Sequence, residues 1–486
     1  MTPLLLLLSA FAHAANVDNL EIGGLWGSPG ATDATALWWN PAGLAADTGT
    51  RVHLEGAPTL AGIKYDRDDP LYGHGGEARF SRFGVVPAAF VASDLGVKGL
   101  GVGLGLAAPT LRGAKESGTL GTSPARYALQ DANVQSAHAM LGLAYAPVPT
   151  FSLGATVQLV ADSWKAQMDT ETLTALRDSL EEQHRDTSQY SDAMLEDPDY
   201  SARVYLGGQD GGSLSGTGVT FSGGARLQAN EKVAISLAYI HGHKVNTSGD
   251  AHMSFQCPPQ SDTWGRLGSE LAGLCYAELD ADASVSYTLP ARVHLGVVIE
   301  PKDGLQVELM GAWIGWHVFT DYTIDVSNVA ARNPDLGNPD YTASKVEQHR
   351  QQARSGRDSF WAGVNVRAKV GEDWTFGGRA LFDRSAIPSA AMSANNYDAD
   401  DLVLSAMAAR KAGPVELGLS ASGHLLMKRT ITDNAFALSL ASPVEDRYFY
   451  PQNNGTYTGY YGRLDLVTRL HFGGSGWRSP GPQFSE

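Results

Sequence analysis

Few side chains in this chain are spaced for chemistry, and each has a quieter reading beside the sharp one. A covalent hydrolase needs a nucleophile with a base and an orienting group next to it. Ser and His are present, but no G-x-S-x-G or comparable constellation occurs, so no enzyme is expected. His241 and His243 share a strand parity and could hold a metal; the blander reading is a solvated pair above an aromatic belt. Cys257 and Cys275 lie in one polar, Pro-rich stretch. A single disulfide closing that loop is expected, since two distant thiols are too few for a metal site. Arg292, Arg379 and Arg463 fall on the charged faces of their segments and could meet a ligand carboxylate. The competing expectation is pairing with inward acids such as Glu308, Asp383 and Asp465. No cofactor and no metal are expected.

The elements that must carry these residues alternate with a period of two from residue 51 onward. In 461–472, Leu464, Leu466, Leu470 and Phe472 oppose Arg463, Asp465, Arg469 and His471. Segments 293–300, 359–370, 373–383 and 414–428 repeat the pattern, with charge on one face each time. A two-sheet sandwich would turn that face to solvent, whereas a lipid-embedded barrel turns it to a wet lumen. About fourteen strands are expected, joined alternately by short turns and by long loops such as 165–212, 253–276, 326–354 and 431–458. That asymmetry is the one outer-membrane barrels show. Trp164, Tyr239, Trp313, Trp316, Trp374 and Tyr461 lie near strand ends, where aromatic girdles belong. Within the first long loop, Leu173, Leu176 and Leu180 predict a short helix over 171–185, either a lid or a plain surface helix.

Composition and the amino terminus agree with a barrel. The 486 residues carry 52 Asp and Glu against 36 Lys and Arg, a net charge of −16, which speaks against nucleic acid as a partner. Mean hydropathy is −0.17, and no apolar run in the mature chain approaches the roughly 18 residues of a spanning helix. Leu4 to Leu8 form an apolar core and Ala12-His13-Ala14 a cleavage signal, so residues 1–14 read as a signal peptide. The product is expected in the outer membrane of a Gram-negative bacterium, in contact with lipid and lipopolysaccharide, as a monomer. After Phe472, the Gly/Ser/Pro-rich residues 473–486 read as a flexible tail.

Ala34-Thr35-Ala36-Leu37-Trp38-Trp39-Asn40-Pro41-Ala42-Gly43-Leu44-Ala45 resembles the N-terminal signature of the long-chain fatty acid transporter (FadL) family. Further stretches resemble that family in the same order: the glycine-rich strand Lys98 to Leu106, Leu289-Pro290-Ala291-Arg292, the aromatic Trp313 to Phe319, and Phe382 to Pro388 with the acidic Asp398 to Asp401. The resemblance implies an all-β fold, a 14-stranded antiparallel transmembrane β-barrel over 51–472 with an N-terminal hatch over 15–50. It implies passive uptake of hydrophobic compounds, long-chain fatty acids above all or aromatic hydrocarbons, with lateral exit through the wall. Asn40, Pro41 and Ala42 are then expected to gate the hatch, and Gly101, Gly103 and Gly105 to mark the strand that opens. The rival expectations are a general porin and a structural or adhesive barrel.

Overall fold

The computed structural model describes residues 21–68, 75–116, 123–171, 201–208, 212–255, 278–331, 348–353, 355–434 and 453–473, with single residues 184, 186 and 188 between. Alternation has its expected consequence: one antiparallel sheet of twenty strand segments. They are β1 (Thr50–Arg67), β2 (Gly76–Ser93), β3 (Leu100–Glu116), β4 (Asp131–Val148), β5 (Phe151–Glu171), β6 (Ser201–Leu206), β7 (Leu214–Asn230), β8 (Val233–Ile240), β9 (Lys244–Phe255) and β10 (Glu278–Thr288). There follow β11 (Arg292–Lys302), β12 (Leu305–Ile314), β13 (Asp321–Ala331), β14 (Gln348–Ala353), β15 (Ser359–Val370), β16 (Trp374–Asp383), β17 (Asp401–Ala412), β18 (Val415–Leu426), β19 (Arg429–Ile431) and β20 (Gly455–Phe472).

β1 pairs with β2 on one side and β20 on the other, so the sheet closes on itself. Its faces are inverted relative to a soluble protein. Leu464 and Leu466 are exposed while Arg463 and Asp465, which alternate with them, are buried, and Leu104, Leu141, Leu237 and Leu309 join the outer apolar surface. Exposed leucines around a charged interior are the signature of a barrel whose solvent is lipid. Among the described residues no helix is long and apolar enough to cross a membrane; the strands do the crossing.

The expected strand bounds are corrected. Six strands are interrupted and continue in line, as β6/β7, β8/β9, β10/β11, β12/β13, β14/β15 and β18/β19: β6 and β7 pair with successive stretches of β5, and β15 and β14 with β12 and its continuation β13. β6 and β14, the first parts of two of these strands, fall where long loops were expected. β14 is the polar Gln-His-Arg-Gln-Gln-Ala, which has no alternation to betray it. The interruptions have local causes. Pro290 has no N–H to give the ladder between β10 and β11. The neighbouring bend at Gly242 nests against it, where an added Cβ would stand 2.2 Å from the Leu289 carbonyl oxygen.

The hatch is corrected as well. Residues 21–49 form no domain of their own: a four-residue helix α1 (Ala36–Trp39) and a 3-10 turn (Pro41–Ala46) are the regular structure there. Their apolar side chains Ile22, Leu37, Trp38, Trp39 and Leu44 belong to one buried cluster with Phe90, Met140 and Trp361 of the strands. Too short to bury a core alone, the segment borrows the barrel's. The girdle expectation holds at half its positions. Tyr239, Trp313 and Trp374 face outward, whereas Trp164 and Trp316 are buried and Tyr461 packs on the His424 ring at 4.4 Å. The signal peptide, both cysteines, the 171–185 helix apart from Glu171 and His184, and the tail beyond Gly473 lie outside the described residues.

Candidate functional site

The N-terminal segment is irregular backbone tied to the strands around it. Asn40 sits in extended conformation between α1 and the 3-10 turn, where its Oδ1 accepts the Ala42 N–H at 3.1 Å and Pro41 opens the turn. Its Nδ2 donates to the Ala225 carbonyl on β7 at 3.2 Å. Other strands hold the segment in the same way. The Gly30 N–H donates to Glu308 of β12 at 2.8 Å and the Gly23 N–H to Glu55 of β1 at 2.7 Å. Ser152 of β5 donates to the Ala42 carbonyl at 2.9 Å, and Asn365 of β15 to the Leu25 carbonyl at 3.2 Å. Irregular backbone at membrane depth needs such internal partners.

Glycines on the facing strands let the segment approach. A Cβ at Gly101 would lie 2.4 Å from the Leu44 carbonyl carbon, one at Gly154 2.4 Å from that of Pro41, and one at Gly224 2.0 Å from Asn40 Oδ1. At Gly103 and Gly105 the space is taken by Leu37 at 3.1 and 2.8 Å. These strands thus present a smooth wall to Leu37, Asn40, Pro41 and Leu44.

Above Trp38 two narrow cavities follow one another. The outer is lined by Trp164, Tyr287, Leu289 and Tyr322, the inner by Trp38, His138, Gln158, His243 and Arg292. Between them is a polar node: His138 Nδ1 bonds Gln158 Oε1 at 2.8 Å, Ser136 Oγ lies 3.2 Å from His138 Nε2, and His243 is 3.8 Å from Asp162. Both cavities touch β3 where its pairing fails, at Pro109 on one and at Gly113 and Ala114 on the other. The β2–β3 register stops at Ser81↔Lys115 and resumes at Ala88↔Ala107, and the β3–β4 register slips between Ala107 and Thr110. Pro87 and Pro109 have no N–H to offer a ladder there. Arg82 reaches over the break to Asp131 of β4 at 2.7 Å. Outside, a hollow of about 690 Å³ lined by Leu54, Leu104, Leu106, Leu141 and Leu159 reaches Gly105 and Phe90. Behind Gly105 the nearest atoms are those of the Phe90 and Leu37 side chains.

Parity placed the three arginines inward, and all three are buried. Arg463 donates to Asp465 at 2.5 Å and pairs with Glu55, with Glu21 at 3.8 Å, in line with the acid-paired reading. Arg379 donates to the Gly27 carbonyl at 2.6 Å. Arg292 stands with its guanidinium 5.3 Å from the Trp38 ring, beside the inner cavity. The β8/β9 interruption falls on His241 and His243: both border the inner cavity, but the exposed His241 ring stacks on Phe221 at 4.6 Å while His243 lies 3.8 Å from Asp162. The node of Ser136, His138, Gln158 and Asp162 escaped the sequence reading, although strand parity on β4 and β5 could have found it.

A closed sheet with an apolar exterior, an N-terminal segment tied inside and a break in one wall defines a membrane conduit. The family model described as outer membrane protein transport protein (OMPP1/FadL/TodX) matches residues 9–412, and the chain belongs to that family, whose members reside in the outer membrane of Gram-negative bacteria. Among solved structures, a FadL homologue of Pseudomonas aeruginosa is similar over 96% of this chain and 100% of its own, with TM-score 0.69 and 16% identity. The toluene transporter TbuX of Ralstonia pickettii is similar over 90% and 94%, with TM-score 0.59 and 14% identity. The toluene transporter TodX of Pseudomonas putida is similar over 95% and 98%, with TM-score 0.62 and 14% identity. No curated protein matches the chain.

Proposed function

We propose that this protein takes up hydrophobic molecules passively across the outer membrane, as a monomer, and releases them sideways into the bilayer. The observation that carries the reading is the interrupted β2–β3 register, which borders both interior cavities on one side. An apolar solute gains nothing from a water-filled pore; a lateral exit lets it leave a greasy pocket for lipid without crossing water. Residues 21–49, no domain in themselves, act as the gating segment, with Asn40, Pro41 and Ala42 as its anchor on β5 and β7. Gly101, Gly103 and Gly105 lie in the paired part of β3 just below the break, where they let this segment pack against the strand that opens. Arg292, beside the inner cavity, is the best placed of the three arginines to meet a carboxylate.

Long-chain fatty acids remain the substrate class the sequence resemblance favours, and the likeness to the toluene transporters TbuX and TodX makes monoaromatic hydrocarbons the other class to test. Uptake of labelled oleate and of labelled toluene is compared in cells with and without the protein, and with Asn40→Ala and Gly103→Val. Faster entry of either compound with the wild type supports uptake and names the class; entry of neither refutes it for both. Unchanged uptake by the two variants removes the gating-segment and strand assignments and leaves the conduit.

A further inference from the structure

At the end of the barrel bearing the short turns, below residues 21–49, lies a cavity of about 650 Å³. It is separate from the two cavities above Trp38. Its floor includes Pro147, Pro149, Gly304 and Asp373, residues of the turns that outer-membrane barrels present to the periplasm. Seven Lys and Arg side chains line it against five Asp and Glu. That cationic bias stands out in a chain with a net charge of −16.

Most of its arginines are already committed. Arg51 donates to the Thr32 carbonyl at 2.7 Å and the Leu44 carbonyl at 2.9 Å. Arg469 bridges Asp33 at 2.8 Å and Glu416 at 2.7 Å, and Arg367 donates to Gln306 at 2.5 Å. Arg226 of β7 is different. It is 8% exposed and lines the cavity, yet its guanidinium makes no hydrogen bond or ion pair among the described residues, and its Nε–H is fully buried. The carboxylate acting on it at longer range is Glu308, which also acts on Arg367 and Arg379 and already accepts the Gly30 N–H. A buried charge with no partner is costly and calls for a counter-ion.

We propose that Arg226 anchors a binding site for a small monocarboxylate in this periplasmic vestibule. The planar guanidinium fork matches a carboxylate's two oxygens, and Arg367 adds a second positive charge on the same cavity. The site takes its ligand from the periplasmic side and does not depend on the uptake reading, because it is tested at equilibrium. Purified full-length protein in detergent is titrated with sodium benzoate and, separately, with inorganic phosphate. Binding is read by calorimetry and by the change in tryptophan emission that Trp26→Phe removes, since Trp26 lines the cavity with the Arg469 guanidinium 5.3 Å from its ring. Benzoate is expected to bind one per chain and to weaken between 0.05 and 0.5 M NaCl. Arg226→Gln should weaken it at least tenfold, and Arg226→Lys, which keeps the charge and loses the fork, should fall between. No benzoate binding, binding that Arg226→Gln leaves unchanged, or phosphate bound in preference to benzoate overturns the assignment. Folding of each variant is checked by its heat-modifiable mobility. Should the glutamine variant fail that check, the lysine variant and the salt dependence decide: wild-type affinity in the lysine protein, or none of the expected salt effect, refutes the site.

Discussion

Alanine at position 101 and at position 103 should behave differently, although both add one methyl group to the same face of β3. At Gly101 the new Cβ would run into a single peptide group: the Leu44 carbonyl carbon at 2.4 Å, its oxygen at 2.5 Å and the Ala45 nitrogen at 2.7 Å. None of these atoms can rotate away. The 44–45 backbone would have to lift, and with it the Leu44 carbonyl that accepts Arg51 at 2.9 Å. Overpacking of this kind costs about 1–3 kcal/mol. At Gly103 the nearest atoms are Leu37 Cδ1 at 3.1 Å and Leu44 Cδ1 at 3.3 Å, ends of flexible side chains that can give by a few tenths of an ångström. The cost there should stay below about 1 kcal/mol.

If residues 21–49 block the lumen, the larger penalty multiplies the population of undocked segments by about 5- to 150-fold. Planar-bilayer recording should then show more frequent conductance bursts for Gly101→Ala than for wild type, and little change for Gly103→Ala. Protease sensitivity of the segment in detergent should follow the same order. Equal behaviour of the two variants would refute the close approach from which the difference is derived. Raised protease sensitivity without raised conductance would keep the approach and refute the blocking role.

Arg463→Met removes the guanidinium shared by Glu21, Glu55 and Asp465; stranding buried carboxylates costs about 3–5 kcal/mol, so the heat-modifiability midpoint should fall steeply. Adding Glu55→Gln should recover part of that loss, and an additive double variant would show that the two groups do not interact. Asp398, in the connection between β16 and β17, has its carboxyl pushed up to about 6 by burial, against the lowering contacts from Ala386, Ser385 and Ile387. A folded-state value above the free one favours the neutral form, so this connection is steadiest below about pH 4 and loses that contribution as pH rises through 6. Protection factors over 384–400, with the intrinsic pH dependence of exchange divided out, should be lower at pH 7.5 than at pH 5, and Asp398→Asn should flatten the profile.

Residue types with a period of two are enough to announce a barrel wall, because lipid outside and water inside impose opposite demands on alternate positions. That logic correctly put Leu464, Leu466, Arg463 and Asp465 on their faces. It fails where the chain stops obeying the period. His241 and His243 lie at an interruption of the ladder, where parity no longer assigns a side, and β6 and β14 are six-residue segments too short to state one. The interior posed a different difficulty. Asn40 could be singled out from its motif, but its partner Ala225 lies 185 residues away, and nothing in a single sequence links the two. Arg226 shows the limit most sharply. Its parity is the same as that of other inward residues on β7, and what sets it apart is that closure of the barrel brings Arg51, Arg367 and Arg469 to acceptors and leaves this one facing open space. Whether an inward charge holds the wall together or waits for a ligand is therefore decided by the ring as a whole, and a strand read alone cannot tell them apart.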